Sequence, residues 1–480
     1  MLDALIIGAG PSGLAAALRL AHFGKKVLLA EAHSRLGGLN SWHQVAGVEI
    51  SSGLHAFTNY WPEGGGVLAR LCRQLRLKPA DLDLYPQSQS SIRFPSATLV
   101  FDNHPERLRS EVARVFPGEI DQFDRFRQLL RDTDEGVVEV SPTRPLSARA
   151  VLENHIRNPL LRDMLLCPVM FYGNPGGLED GRPFYREEPD MDWLLFCVVW
   201  KCLFETGLAC PAGGMRSLWE KLANRFQAEG GELRLGLGVE RLCQVDGQVT
   251  EAQFTNGERY SARCFFSSAG RVETAALLGL TTPEGETGTT SIVEGLALLD
   301  RAAAQAGLSD TALFYSRQDR FAFGPAAGEE LADRQAGVVC ALGNYALPEE
   351  SRRHIVKISQ LADYPAWRSL SPESYPAAKQ RVAAGMREDL AQLGVDLAPL
   401  RERDGKFGVF DDVFTPLTLE RFTRHRKGAL YGSPRKSRNG ATACPNLFLI
   451  GADQGFHGIV GAMLSGVAMA NRHVLAGGAF

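Results

Sequence analysis

The sequence has little that would mark a secreted, metal-binding or nucleic-acid-binding protein. Its nine cysteines include no Cys-x-x-Cys pair and no spacing typical of metal ligands, so we expect free thiols, a reducing compartment and no bound metal. Lysine and arginine number 52 against 55 aspartates and glutamates, for a net charge of −3. Because no positive surplus is left to neutralise a phosphate backbone, we expect no nucleic-acid partner.

Long hydrophobic runs are also missing. A membrane-spanning helix needs about 20 apolar residues, and the longest candidate, Trp193–Trp200, is followed at once by Lys201. The chain enters its first apolar strand directly after Met1-Leu2-Asp3, so we expect no secretory or transit segment. We therefore expect a cytoplasmic protein that contacts the inner face of a membrane only at its periphery.

What the sequence does contain is a dinucleotide-binding βαβ pattern at its N-terminus. An apolar strand leads into Gly8-Ala-Gly10-Pro11-Ser12-Gly13, a helix of small residues follows, and a second apolar strand ends at Glu31. The three glycines permit a tight turn, backbone approach to a pyrophosphate, and close packing of helix on strand. The helix N-terminus offers N–H groups to the anion, and the acid accepts ribose hydroxyls. This segment therefore predicts a Rossmann-like nucleotide site.

The residues after this acid indicate which dinucleotide binds. The run Ala32-His-Ser-Arg35-Leu-Gly37-Gly38 resembles the FAD-binding signature of the flavin amine oxidase and phytoene desaturase superfamily. The resemblance implies that Arg35 and the Gly37–Gly38 backbone approach FAD. No second nucleotide fingerprint is expected, because Arg241 stands where a third glycine would follow Gly236-Leu-Gly238. We predict FAD as the cofactor, without a separate NAD(P)H domain.

A hairpin around Gly47 is predicted to lead to Ser51-Ser-Gly53-Leu-His55. In the resembling family this position usually reads Asp-x-Gly-x-His, with the glycine close to the flavin, and here Ser51 replaces the acid. Gly53 is thus predicted to contact the cofactor. His55 is the candidate catalytic residue beside the flavin, with a hydrogen-bonded structural histidine as the alternative.

The C-terminal region resembles the element that closes the same site in that superfamily. A buried strand ends in Gly451-Ala-Asp453, and a helix of small residues begins at Gly458. The resemblance implies that Asp453 approaches the ribityl and pyrophosphate groups, and that the helix N-terminus stabilises the anionic reduced flavin. The other contacts that it implies are Val239 at the adenine, Ala269 and Gly270 at the adenosine, and Ile459, Val460 and Ala462 at the flavin.

The middle of the chain has no nucleotide-binding feature and is predicted to hold the substrate. Two elements, a loop predicted over Pro168–Gly177 and Pro211-Ala-Gly-Gly214-Met, resemble those on either side of a flavin-covering helix in phytoene desaturase-like and retinol saturase-like proteins. The apolar helix predicted over 191–204 is either ordinary core or the wall of a lipid tunnel. We predict the tunnel, with the following residues lining it: Tyr172, Trp193, Phe196, Trp200 and Phe204.

Together these features predict an α/β fold, with a doubly wound FAD-binding (Rossmann-like) domain interrupted by an α+β substrate domain. The FAD domain is predicted to comprise 1–80, 206–287 and 415–480, and the substrate domain 81–205 and 288–414.

Three functions agree with this pattern. The preferred one is an FAD-dependent oxidoreductase of the phytoene desaturase, retinol saturase and carotenoid isomerase type, which acts on an apolar isoprenoid or polyene. The alternatives are a flavin amine oxidase, which usually has a lysine near flavin N5, and a lipid carrier like the prenyl-protein escort proteins, which perform no redox chemistry. Fold analogy does not decide among them.

Overall fold

The computed structural model describes residues 1–45, 47–53, 55–60, 65–133, 146–173, 188–324, 330–397, 413–456 and 458–476. The prediction of a loop over Pro168–Gly177 is wrong for its first part, because Pro168 lies inside a helix that continues to Gly173. Residues 174–177 of that loop lie outside the described residues.

The strands, in chain order, are β1 (Leu2–Ile7), β2 (Val27–Glu31), β3 (Trp42–Val45), β4 (Val48–Ser51), β5 (Phe57–Thr58), β6 (Leu84–Pro86), β7 (Ser90–Phe94), β8 (Ala97–Phe101), β9 (Leu208–Pro211), β10 (Glu232–Leu235), β11 (Val239–Val245), β12 (Gln248–Phe254), β13 (Arg259–Ser267), β14 (Ser291–Leu298), β15 (Ala312–Ser316), β16 (Ala336–Ala341), β17 (Ile355–Ala362), β18 (Val413–Phe414) and β19 (Leu447–Leu449).

The α-helices are α1 (Pro11–Ala21), α2 (Gly66–Gln74), α3 (Pro105–Val115), α4 (Ile120–Asp132), α5 (Ala148–His155), α6 (Pro159–Gly173), α7 (Trp193–Trp200), α8 (Gly214–Ala228), α9 (Arg271–Leu277), α10 (Tyr364–Arg368), α11 (Ser374–Gln392), α12 (Pro416–Thr423) and α13 (Gly458–Ala470).

The first sheet has the order β10-β2-β1-β13-β12-β11. Strands β10, β2, β1 and β13 run parallel, and the end of β13 pairs in parallel with β19. Antiparallel pairing joins β12 to β11 and to the start of β13. Strands from both ends and the middle of the chain thus form one sheet, and the predicted Rossmann-like fold is confirmed.

Helices α1 and α13 pack closely because a glycine replaces a side chain at their crossing. A Cβ on Gly466 would overlap the carbonyl oxygen of Ser12. The start of α1 therefore lies against the middle of α13, and a Cβ on Gly451, after β19, would also lie near Ser12.

The second sheet has the order β18-β14-β17-β16-β15-β7-β8, in which only β15 and β7 pair in parallel. Its two faces alternate along each strand, as the pleat requires. On β15, Ala312 and Phe314 join the large core that includes α1, α6 and α7, whereas Leu313 and Tyr315 join a separate core with α11. One face of the second sheet therefore packs into the core that contains α1, and its other face packs on α11.

Local signals in the sequence account for several element boundaries. Strands β3 and β4 form the predicted hairpin, and Gly47 between them has a φ of +77°. The Oγ of Thr415 accepts a hydrogen bond from the N–H of Thr418 at 3.3 Å and caps α12, with Pro416 at its first position.

Candidate active site

The N-terminus of α1 forms a cradle that glycines keep open. A Cβ at Gly13 would overlap the carbonyl oxygen of Gly8, so the turn and the helix can approach only without a side chain. A Cβ at Gly10 would meet nothing within 4 Å. No side chain caps the helix, which has Pro11 at its first position and no acid in its first turn. The first turn of α1 thus has no side-chain cap for its N–H groups and has open space beside Gly10, as an anion site requires.

Glu31, at the end of β2, is oriented by two backbone groups. Its Oε2 accepts the N–H of Ala9 at 2.7 Å, and its Oε1 accepts the N–H of His33 at 2.8 Å. A carboxylate oxygen has two acceptor positions, so each oxygen can still accept a hydroxyl. The carboxylate is thus held beside the cradle in a position suited to a ribose.

The predicted adenosine residues lie along the same edge. A Cβ on Gly238 would lie 3.2 Å from the Cβ of Ala32, so the start of β11 at Val239 passes beside the end of β2. At the end of β13, Ala269 and Gly270 lead into α9. Ser268, directly before Ala269, donates its hydroxyl to the carbonyl of Ile7 at 3.0 Å, so this segment adjoins the turn at Gly8.

The Arg35–Gly38 loop meets the cradle through its glycines. The N–H of Gly37 donates to the carbonyl of Ala9 at 2.9 Å, and a Cβ on Gly38 would lie 3.5 Å from the Cα of Gly10. Arg35 is exposed, and its Nη1 donates to the carbonyl of Trp42 at 2.8 Å. The loop therefore brings two glycine-rich backbones together, while its arginine is anchored to β3.

In the C-terminal motif, Gly451 and Gly458 lie close to residues of the N-terminal region. A Cβ on Gly451 would lie 3.0 Å from the Oγ of Ser12, and a Cβ on Gly458 would lie 3.5 Å from the Oγ1 of Thr58. The first turn of α13 carries no acid, and Gly458 is exposed. Of the residues that follow, Ile459 and Val460 are buried and Ala462 is half-buried.

Asp453 has partners of its own in the structure. Its Oδ1 accepts the N–H of Ser433 at 2.7 Å, its Oδ2 accepts the N–H of Arg271, and Lys436 Nζ lies 3.4 Å away. The side chain is buried and joins the start of α9, which follows Gly270, to the loop after Gly432. A contact from this carboxylate to a ribityl group stays a prediction.

A buried polar cluster lies where the segment that follows β4 meets strands β14 and β17. Antiparallel pairing places Glu294 on β14 opposite Ser359 on β17, and Lys357 lies two residues along on the same face. Lys357 Nζ lies 3.1 Å from Glu294 Oε1 and donates to the carbonyl of Ser51 at 2.7 Å. His55 Nε2 lies 3.2 Å from Glu294 Oε2 and 3.0 Å from Ser359 Oγ. Three strand residues and the segment that follows β4 thus meet in one network.

Burial and charge act in opposite directions on the Glu294 carboxyl. Burial alone would raise its pKa, but the Lys357 ammonium and the hydrogen bond from His55 outweigh this and lower the pKa to about 2. Lys357 is fully buried. The Glu294 carboxyl is therefore ionised at neutral pH, in a position where an unpaired charge would be costly.

Tyr172, at the end of α6, lies beside this cluster. Its ring centroid is 6.1 Å from that of His55 and 5.4 Å from that of Phe314. Burial raises the pKa of Tyr172 well above its ordinary value, and the Cys340 thiol is a polar neighbour. Of the predicted lining residues, Tyr172 is the one that reaches the polar cluster.

The other four predicted lining residues, Trp193, Phe196, Trp200 and Phe204, lie on the packed side of α7. They are 0 to 5% exposed. Their rings stack along the helix and contact Phe101, Phe123 and Phe126. The tunnel-wall assignment of these four residues is corrected accordingly. Three of them pack against α4, and Phe204, in the turn that follows α7, packs against Phe101 of β8.

The open side of α7 carries smaller residues instead. Leu195 and Val198 are half-buried, and so is Cys202 in the π-helical turn that extends α7. Asn59 Nδ2 donates to Cys202 Sγ at 3.2 Å and lies 3.3 Å from Thr58 Oγ1. This side therefore adjoins the segment that approaches the start of α13.

Comparison with known sequences identifies the family. Residues 11–264, more than half of the chain, match the family described as flavin-containing amine oxidoreductases. This chain belongs to that family. Membership places it among the FAD-dependent oxidoreductases and makes FAD its cofactor, as the sequence predicts.

The described residues fit FAD in a flavin-containing amine oxidoreductase. The uncapped start of α1, with open space at Gly10, suits the pyrophosphate, and the oriented carboxylate of Glu31 suits a ribose. The glycine-rich start of α13 suits the flavin. The individual FAD contacts assigned to these residues remain predictions.

Among related proteins, the all-trans-retinol 13,14-reductase of Danio rerio is 31% identical over 28% of this chain and 23% of its own length. A neurosporene-forming phytoene desaturase of Rhodobacter capsulatus is 27% identical over 55% of this chain and 52% of its own length. A chloroplastic prolycopene isomerase of Arabidopsis thaliana is 21% identical over 98% of this chain and 82% of its own length. The matched segments thus span about a quarter and about half of the first two relatives.

Solved structures of low sequence identity share the fold. An oxidoreductase from Methanosarcina mazei matches with a TM-score of 0.64 and 15% identity, over 98% of this chain and 100% of that one. A Rab GDI from Plasmodium falciparum matches with a TM-score of 0.51 and 12% identity, over 94% of this chain and 92% of that one.

Sequence reasoning missed Glu294, Lys357 and Ser359. A signal was present, because Glu294 interrupts the apolar run Ile292–Leu298, and Lys357 and Ser359 interrupt Ile355–Leu361 at a two-residue spacing. Polar residues on one face of two apolar strands indicate a shared buried network, but their pairing depends on the strand register.

No helix in the described part of the chain is both long and apolar enough to span a bilayer.

Proposed function

We propose that this family member acts on C–C or C=C bonds of an apolar isoprenoid or polyene. The observation that carries the proposal is its similarity to proteins named for reactions on retinol, phytoene and prolycopene. Bound FAD supplies the redox step by taking or giving a hydride equivalent at N5. The protein would bind the substrate, exclude water and manage the proton.

The residues around the polar cluster support an apolar substrate. Leu195 and Val198 face outward from α7, and Ile292 and Leu296 share the face of β14 that carries Glu294. A binding site with apolar walls and a few convergent polar groups is typical of small-molecule pockets. A polyene would gain free energy by burying its surface there, at about 25 cal/mol per Å².

We further propose that the substrate unit is built on the second sheet, with 81–205 and 288–414 as its segments. Its strands come from 90–101, 291–362 and 413–414, whereas the first sheet uses 2–31, 232–267 and 447–449. Such a division would put the cofactor on one sheet and the substrate against the other.

One observation favours an amine substrate as the second candidate. Lys357 is a buried lysine in the polar cluster, and a flavin amine oxidase usually has a lysine near flavin N5. Its ammonium, however, is already held by Glu294 and by the carbonyl of Ser51. A lysine fixed in this way is better suited to support the protein than to reach a cofactor.

The experiment is anaerobic absorbance spectroscopy of the purified holoprotein. Oxidised and reduced flavin are each mixed with a polyene series and, separately, with small amines. We expect flavin reduction or reoxidation with a polyene and no response to amines. Turnover of amines alone would contradict the proposal, and a protein that binds polyene without any flavin would favour the carrier function.

An extended isoprenoid dissolves in bilayers, so we propose that the protein contacts membranes at its periphery. Phe422 is 52% exposed, and the Arg421 guanidinium lies 5.6 Å from its ring centroid. An exposed ring beside a cation suits the interface of an anionic bilayer. We expect flotation with anionic liposomes and less flotation of Phe422→Ser. Equal recovery of both proteins would contradict a role for this residue.

A further inference from the structure

We propose that Glu294 and Lys357 are positioning residues that fix one tautomer of His55, so that its Nδ1 exchanges a proton with the substrate. This inference rests on the proposed function for its substrate, but the arrangement of the three side chains is tested separately below. The inference gives a role to the buried ion pair of Glu294 and Lys357, which takes no part in the predicted cofactor site.

The first step is the tautomer. An ionised carboxylate can only accept hydrogen bonds, so the His55 nitrogen that contacts Glu294 Oε2 at 3.2 Å carries the hydrogen. Ser359 Oγ also donates to Glu294 Oε2, at 3.2 Å, which leaves its own oxygen free to accept from the same imidazole N–H. Neutral His55 is therefore protonated at Nε2 and bare at Nδ1.

The second step concerns the free nitrogen. Among the described residues, His55 makes its side-chain hydrogen bonds through Nε2 alone. The side chain is 11% exposed, and Nδ1 does not belong to the buried polar atoms that lack a partner. The backbone is fixed as well, because Tyr345 OH donates to the His55 carbonyl at 2.7 Å. The geometry leaves one accessible nitrogen on an otherwise anchored ring.

The third step is the role of Lys357. Its ammonium bonds both to Glu294 and to the carbonyl of Ser51, which lies four residues before His55. It thus compensates the buried carboxylate and ties β17 to the segment that carries the histidine. A carboxylate that orients a histidine through one nitrogen, and so leaves the other for proton transfer, is a recurrent arrangement in enzymes.

The chemistry requires such a group. Reduction of a C=C bond breaks the π bond and forms two C–H bonds, one with a hydride equivalent from the reduced cofactor and one with a proton. Protonated His55 would give that proton from Nδ1 to the second carbon and become neutral. In desaturation the neutral Nδ1 takes a proton from one carbon while the other carbon loses a hydride equivalent to oxidised flavin.

The test is ¹⁵N NMR of histidine-labelled holoprotein, in which His55 is assigned as the signal missing from His55→Gln. We expect wild-type His55 to show the Nε2–H tautomer. We expect that preference to be lost in the charge-neutral double variant Glu294→Gln/Lys357→Met, with a roughly 10- to 100-fold slower flavin response to polyene. The double variant avoids leaving one buried charge unpaired.

Asp389→Asn is the matched control. Asp389 is a carboxylate that is 1% exposed, lies on the other side of the second sheet and is paired with Arg334 and Arg317. We expect its removal to leave the His55 signal and the flavin response unchanged.

An Nδ1–H tautomer in the wild type, or an unchanged tautomer in the double variant, would overturn the inference whatever the substrate. A wild-type protein with the expected tautomer but no response to any polyene would instead overturn the proposed function.

Discussion

The predicted cofactor cradle and the His55 cluster are built differently. The cradle consists mainly of backbone from the segment between Gly8 and Gly38, with glycines that prevent side chains from filling it. The cluster consists of polar side chains from Glu294, Lys357 and His55, which lie far apart in the sequence. The first exploits unpaired N–H groups, and the second must compensate buried charge with buried charge.

This difference separates two kinds of sensitivity. A side chain added to the cradle should remove the ligand with little effect on the rest of the fold. A charge removed from the cluster should destabilise the fold with little effect on the cofactor. Variants of the two regions therefore test whether cofactor binding and substrate chemistry are independent.

The largest effect is expected for Gly10→Trp. Its side chain would enter the space that the open Gly10 position leaves for a pyrophosphate, so we expect loss of FAD. The flavin absorbance per protein, measured after purification, reads the result. Gly118→Trp is the control, since Gly118 also has open space around its Cβ position but is remote in the sequence from every predicted cofactor contact. Full flavin occupancy in Gly10→Trp would refute the cradle.

The next effect concerns stability. Glu294→Gln leaves the fully buried Lys357 without its anion, and we expect a loss of about 3–5 kcal/mol in the free energy of unfolding. The double variant Glu294→Gln/Lys357→Met should recover most of that loss. Denaturant titration of the three proteins measures both differences. Equal stability of the single variant and the wild type would mean that the pair is not buried as described.

The pH dependence of stability should follow from the same pair. The pKa of Glu294 is lowered from 4.5 to about 2 in the folded state, so its stabilising effect is complete above the unfolded value and is lost as pH falls through this range. Relative to the double variant, the wild type should therefore lose stability between about pH 4.5 and about pH 2. Thermal unfolding of both proteins over this range checks the sign. Parallel curves would contradict the depressed pKa.

A smaller effect is expected on the apolar wall. Val198 lies on the half-buried side of α7, and Val198→Trp should narrow the space beside the site and slow the flavin response to a long polyene more than to a short one. Val245→Trp is the control, because Val245 is 58% exposed on β11. Identical rates for all chain lengths would argue that this side of α7 does not contact the substrate.

The same contrast explains how much the sequence could predict. The cradle depends on local geometry, and glycines at fixed spacing followed by Glu31 specify it within one continuous segment. The burial of the aromatic residues of α7 corrects the prediction that they line a tunnel. The apolar character of this helix is nearly continuous, so the sequence does not say which of its faces is packed. Glu294 and Lys357 could be recognised as unusual, but only the pairing of β14 with β17 brings them to His55.

The most direct test of the account compares His55→Gln with the wild type, with both proteins purified in the same way. The glutamine removes the proton-exchanging nitrogen and leaves the cradle unchanged. We expect wild-type FAD content together with a roughly 100-fold or larger loss in the rate at which a polyene reduces or reoxidises the flavin. An undiminished rate, or loss of FAD in parallel with the rate, would contradict the division of the site into a cofactor cradle and a separate proton-handling cluster.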